Sequence, residues 1–346
     1  MRQLSESVRA ALNDPARIAE RDMWFDRMRS IFDGVEDDFN RSHAFALQGV
    51  VPRADMSLAY TDPEEWTLQC LELLAENLPD TTKRFAPPCV EYPIYGVHFI
   101  DRMFGADVYF YEDQWNARYL DTPVGQLKMP DLETDETWAL ARRSAEAFLA
   151  ADVKLPLFGM PTLSSALNIM VNLYGEEALV AMLDDEEAAL HDLTIINDLI
   201  RALHRWYREH IPSQQLQPVI SWERTQPPHS GQLCGCTTQL LSGALYGEMI
   251  APLDDALLGD YPRGGMIHLC GHHTQHIPIF REMKHLRALQ LNDDASRDLE
   301  KYLAGLREDQ IIYLYPYEDM SAEEALRISG NKRIIFIGVE GPEVRR

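Results

Sequence analysis

From residue 218 to residue 337 short apolar runs alternate with helical stretches, and this rhythm restricts the fold more than any other feature. The runs cover residues 218–222, 232–237, 266–270, 286–291, 311–315 and 333–337, with helices expected at 242–252, 273–283, 295–307 and 322–328. Strands separated by helices of ~10–15 residues predict a parallel sheet. Enough units follow one another to predict a (β/α)8 TIM barrel, an α/β fold, over a doubly wound sheet. The 346 residues accommodate one, since a barrel takes about 250 residues plus insertions.

Upstream, Trp24, Phe25, Met28, Ile31 and Phe32 recur at helical spacing. Residues 1–48 are therefore expected as helices packed outside the barrel, and residues 49–346 as the barrel domain. Residues 54–60 resemble a short strand or loop. Asp62-Pro63-Glu64-Glu65 is a helix start with Asp62 as cap. Residues 107–111 read as a strand with 119–127 as its hairpin partner. Residues 133–151 read as a helix and 155–159 as a strand; 161–165 open a helix, and 175–210 form two helices.

A net charge of −23 argues against nucleic acid or an anionic membrane as partner, because phosphate binding needs clustered Lys and Arg. No window approaches the ~20 apolar residues of a membrane span, and the start carries no apolar signal core. Five cysteines, at 70, 89, 234, 236 and 270, are too few and too scattered for a disulfide framework. A reducing cytoplasm is the expected compartment.

The chemistry concentrates in Gly265-Met266-Ile267-His268-Leu269-Cys270-Gly271. Side chains alternate along a strand, so His268 and Cys270 share one face near its carboxyl end. Imidazole and thiolate are preferred zinc ligands. The competing reading is a satisfied histidine beside a small core cysteine. Cys234-Gly235-Cys236 also puts two thiols on one strand face; Cys236 is a candidate fourth ligand, whereas Cys234 reads better as a small buried residue. His272, His273 and His276 follow, with His272 and His276 four apart on one helix face. They read as the lip of a cleft, with His272 as a substrate contact.

Trp222-Glu223-Arg224 ends a strand. Glu223 is a candidate catalytic acid or base and Arg224 a substrate-orienting group; the alternative is a surface ion pair. Tyr92, Tyr95 and Trp115 either line an aromatic pocket or pack beneath the hairpin. Glu112 and Asp113 read as solvated turn acids. No P-loop, dinucleotide fingerprint or nucleophile elbow is present.

Several segments resemble the uroporphyrinogen decarboxylase superfamily, which includes the decarboxylase and the cobamide-dependent zinc methyltransferases. They occur in family order across roughly residues 50–341. Met103-Phe104-Gly105-Ala106-Asp107-Val108 through Glu112-Asp113 resembles an "FGAE…ED" segment. Pro161 through Leu190 resembles the family's acid-joined helix pair. Ser242 through Pro252 is similar to "SPELYREFVLP", Gly265 through Gly271 to "G-x-I-H-x-C-G", and Leu286 to Asn292 to the strand after it. The resemblance implies a barrel with its cleft at the carboxyl ends of the strands.

Two departures carry information. The arginine-rich substrate motif of the decarboxylase is not reproduced at Gly49 to Asp55. The zinc methyltransferases have a second cysteine near the last strand, where this chain has Ile337-Gly338-Val339-Glu340-Gly341. Glu340 is either a carboxylate substitute for that thiolate or a solvated C-terminal acid. The resemblance implies zinc held by His268, Cys270 and Glu340, with Cys236 or water in fourth place. The implied reaction is methyl transfer between a thiol and a corrinoid carried by a separate protein. The alternatives are a metal-free decarboxylase with His268 as acid or base, and a non-catalytic binding barrel. Monomer and homodimer both remain open.

Overall fold

The strands pair in parallel through most of the chain. In chain order they are β1 Phe45–Leu47, β2 Cys89–Glu91, β3 Val108–Tyr111, β4 Gln114–Ala117, β5 Leu157–Gly159, β6 Leu216–Gln217, β7 Gly231–Cys234, β8 Gly265–Leu269, β9 Leu286–Leu291, β10 Ile311–Leu314 and β11 Ile334–Ile337. The computed structural model describes residues 2–35, 45–47, 54–78, 85–217, 224–317, 320–330 and 334–337. One sheet runs β1-β11-β10-β9-β8-β7, a second runs β2-β5-β6, and β3 and β4 form an antiparallel hairpin. The architecture is α/β with parallel sheets, as expected. Among the described residues no ladder joins β6 to β7 or β1 to β2, so the pairings do not close into the expected ring.

The two faces of the large sheet are buried differently. Leu233, Ile267, Leu269, Leu289 and Ile312 pack outward into the main core with the surrounding helices. Met266, Ala288, Ile311, Tyr313, Ile335 and Ile337 point the other way. There they join Cys89 of β2, Leu157 of β5 and Trp24, Phe25, Met28 and Phe32. Strands of both parallel sheets thus share one interior cluster, and the helix Pro15–Phe32 plugs one end of it. Burial on both faces explains why β8 to β11 read as nearly continuous apolar runs.

Most strand and helix assignments after residue 224 hold with small shifts at the ends, but the strand expected at 232–237 stops at Cys234, and the helix expected to bend or end at Pro252 continues to Gly259. The expected helix 295–307 is broken into Asp294–Arg297 and Leu299–Gly305. Ser242 caps its helix by accepting from the Leu245 N–H. That helix passes through a π turn, Tyr246–Ile250, just before Pro252, whose missing N–H breaks the regular ladder. The expected strand 218–222 lies outside the described residues.

Three upstream expectations change. Residues 54–60 are not a strand or loop: Met56–Thr61 is a helix, started by Asp55 accepting from the Ser57 N–H. The hairpin partner of β3 is Gln114–Ala117, not 119–127. Glu112 and Asp113 both take positive φ, 49° and 59°, forming the two-residue turn that matches strand twist. Helix does not extend to residue 48, because Phe45–Leu47 pairs with β11. No helix among the described residues is long and apolar enough to cross a membrane.

Candidate metal centre

Register assembles the site. Cys234 of β7 pairs with His268 of β8, and His268 pairs with Gln290 of β9. These residues lie on the sheet face that carries Met266, toward the carboxyl ends of their strands. β7 stops at Cys234, and Gly235 still donates its N–H to the His268 carbonyl at 2.8 Å. The chain then turns into the 3-10 helix Cys236–Leu240, which brings the Cys236 thiol back over the strand ends. Asn168 accepts from the Thr237 N–H at 3.2 Å and anchors this turn.

The donor atoms of Cys234, Cys236 and His268 all lie within 4.8 Å of one another. Tetrahedral zinc with bonds of about 2.0–2.3 Å needs donors roughly 3.5–3.8 Å apart, so a small adjustment suffices. The cluster can hold a metal ion. Cys270 adjoins it, with Sγ 2.9 Å from His268 Nε2. On the other side of the ring, Nδ1 lies 2.6 Å from Gln290 Oε1. A carbonyl oxygen only accepts, so Nδ1 carries the proton and Nε2 keeps its lone pair for a metal or a thiol proton.

The three thiols shift one another. A hydrogen bond from Cys236 holds Cys234 well below the usual thiol range; burial opposes this, and His268 and Arg224 assist. Cys270 is lowered to about 5, first by its hydrogen bond with Cys236 and, against burial, by His268. Cys236 is shifted the other way, raised first by its interaction with Cys234 and then by that with Cys270. Burial pushes His268 down, but the Cys234 and Cys270 thiolates outweigh it and the net shift is upward. A metal ion binding here would replace thiol protons.

The surroundings brace this arrangement. Thr238 donates its hydroxyl to the Gly235 carbonyl at 2.8 Å and therefore accepts from His273 Nδ1 at 3.0 Å. His276 Nε2 donates to the Thr238 carbonyl at 2.8 Å. Burial lowers both histidines, His273 to about 3, so both are neutral. They support the Cys236 turn instead of forming a lip. Only His272 is exposed, with Nδ1 3.6 Å from Asp298. It precedes the 3-10 helix Thr274–His276, so it does not share a helix face with His276.

The other candidates scatter. Arg224 is buried, at 8% exposure, and its Nη1 lies 3.8 Å from Cys234 Sγ. It is part of the thiol cluster's wall, not a surface ion pair. Tyr92 is fully buried, edge-on to Trp66 with its hydroxyl on the Ala59 carbonyl. It is a packing residue. Tyr95 and Trp115 form an aromatic cluster with Tyr60 beneath the hairpin. Glu223 and Glu340 lie outside the described residues. The expected ligand set was therefore incomplete at Cys234. The C-x-C spacing signalled that both thiols share a strand, but not that β7 lies in register beside His268.

The fold is shared with a methyltransferase from Methanosarcina mazei. The superposition covers 91% of this chain and 92% of the other, with a TM-score of 0.61 and 11% sequence identity. At that identity the likeness establishes a common fold, in agreement with the superfamily resemblance carried by the motifs. No protein-family profile matches the sequence. No curated protein matches it either.

Proposed function

We propose that this chain is a methyl-transfer enzyme in which zinc, held by Cys234, Cys236 and His268, activates a thiol substrate. The observation that carries the reading is the compact triad of donor atoms, set in a fold shared with a methyltransferase. We also propose that the two parallel sheets belong to one barrel, since β2, β5 and β8 to β11 contribute to a single interior cluster. The site then stands where barrel enzymes place their chemistry.

Zinc in this position would lower the pKa of a bound thiol and hold it as thiolate at neutral pH. The chain's own residues do the rest. Gln290 fixes the His268 tautomer, and Cys236 gives up its proton when metal binds. Three protein ligands leave one position open, which distinguishes a catalytic from a closed structural site. The methyl group would come from a corrinoid on a separate protein, as the superfamily resemblance implies.

The test is zinc titration of the apoprotein beside Cys234→Ser, Cys236→Ser and Cys270→Ser. Wild type is expected to take up one equivalent. The first two variants should lose affinity by more than about tenfold, and Cys270→Ser should retain it. No zinc binding near neutral pH would sink the methyltransferase reading and promote the metal-free lyase, with His268 as acid or base.

A further inference from the structure

A cavity of about 180 Å3 lies at the end of the strands opposite the thiol cluster. Its walls include Ser213 ahead of β6, His229 and Ser230 ahead of β7, and Tyr261 ahead of β8. Arg208 joins them from the last turn of the helix Glu186–His210. Among the described residues no ladder joins β6 to β7, and the cavity stands between their amino ends. Among the described residues no carboxylate lines it, although the chain carries 55 acidic against 32 basic residues. The methyl transfer proposed above uses none of these groups.

Positive charge is in surplus here. Arg201, Arg205 and Arg208 recur on one face of the helix, and Asp260 faces all three. A hydrogen bond from Arg201 holds Asp260 below the usual carboxylate range; burial opposes this, and the charges of Arg201, Arg208 and Arg205 assist. Both carboxylate oxygens of Asp260 are taken by Arg201, at 2.7 and 2.8 Å. Arg208 therefore meets only the Asp260 carbonyl, through Nη1, and the face of the Tyr261 ring at 4.8 Å. Its Nε is buried and has no hydrogen-bond partner, an arrangement that costs free energy until a ligand or water fills it. The edge formed by Nε and Nη2, which matches two oxygens of one anion, is thus unengaged among the described residues. Ser230 is 4% exposed, and among the described residues its hydroxyl has no hydrogen-bond partner either.

We propose that this cavity binds the oxyanion group, phosphate or carboxylate, of a small ligand, with Arg208 as its principal partner and the Ser230 hydroxyl as a second donor. The site shares no residue with the metal cluster and does not depend on the zinc reading. A ligand there touches the ends of strands from both parallel sheets, and so adds stability to the folded chain at a place where no ladder does.

Calorimetric titration of the full chain with inorganic phosphate and, separately, with acetate tests it, at constant ionic strength set by chloride. At least one of the two anions should bind with one equivalent, and the same anion should raise the melting temperature. The tighter of the two identifies the group that the ligand carries. Arg208→Met should weaken binding by at least about tenfold, and Ser230→Ala by roughly threefold. Zinc affinity should be unchanged in both. Arg208→Met also loses the contact with the Asp260 carbonyl, so if it fails to fold, Ser230→Ala, which removes one hydroxyl, decides. Failure of both anions to bind wild type, or binding that the folded variants retain in full, would overturn the proposal and leave the zinc reading intact.

Discussion

His268 Nδ1 lies 2.6 Å from Oε1 of Gln290, its register partner on the neighbouring strand. Gln290 is fully buried, and its Nε2 is 3.3 Å from Asn292 Oδ1. That contact orients the amide so that its oxygen faces the imidazole. The Nδ1 proton is thereby held on the Gln290 side, and Nε2 faces the Cys270 thiol. Gln290→Leu removes the acceptor without opening a large cavity. Zinc affinity should fall about 10–100-fold, the usual effect of losing a histidine's outer hydrogen bond. Gln290→Glu, which keeps an acceptor, should stay close to wild type. Competition with a chromophoric chelator measures both, and unchanged affinity in the Leu variant would show that the tautomer is set elsewhere.

Cys270 should react as a thiolate in mildly acidic solution. The hydrogen bond from Cys236 lowers it to about 5, with His268 adding to the effect against burial. Iodoacetamide labelling of metal-free protein should therefore rise with pH through about 5 and level off before neutrality. An ordinary thiol responds only near pH 8.5. Burial raises Cys70 and Cys89, which should remain unlabelled while the protein is folded. Replacing Cys236 with Ala removes the donor and should move the Cys270 profile to higher pH. Peptide mapping by mass spectrometry reads each site, and an ordinary alkaline profile at Cys270 would contradict the coupling of the thiols.

The strand-helix rhythm and the pairing of His268 with Cys270 were legible because both rest on local periodicity. Parallel order and the capped helix at Ser242 followed from the same kind of signal. Cys234 and Gln290 were not legible as site residues. Their roles depend on which strands are neighbours and in what register, and residue 290 lies far along the chain from residue 268. Tyr92 misled for a related reason: an aromatic residue after a strand looks the same in sequence whether it faces a cleft or Trp66. The thiol-rich turn also needed three dimensions, because Cys236 leaves strand geometry at Gly235 and returns from a 3-10 helix.

Gly235 separates the two cysteines and tolerates no side chain. A Cβ there would stand 2.7 Å from Ile267 Cγ2 and 3.2 Å from Leu269 Cδ2. Its φ of −107° suits any residue, so the constraint is packing and not backbone strain. Gly235→Ala must push the turn away from β8. A loss of about 1–3 kcal/mol in urea denaturation is expected, typical of overpacking a core. Zinc affinity should fall as well, since Cys234 and Cys236 flank the displaced residue. A variant with wild-type midpoint and wild-type zinc binding would show that the strands part without cost.

Asp254 gives the chain a pH dependence that is independent of metal. Its side chain is buried in the helix Ala251–Gly259 and accepts from the Tyr246 hydroxyl at 3.1 Å. Burial raises its pKa to about 7, Tyr246 counteracts this in part, and Asp255 adds to the rise. In the unfolded chain the value is about 3.9. Between about pH 4 and pH 7 the folded protein thus holds a proton that the unfolded chain has released, and this group's contribution makes stability fall as pH rises through that window. Asp254→Asn keeps an acceptor for Tyr246 and cannot ionise. It should match wild type near pH 4 and exceed it at pH 8 by on the order of 2–4 kcal/mol. Urea midpoints measured from pH 4 to pH 8 test this, and parallel curves for the two proteins would mean that Asp254 is ionised in the folded state throughout.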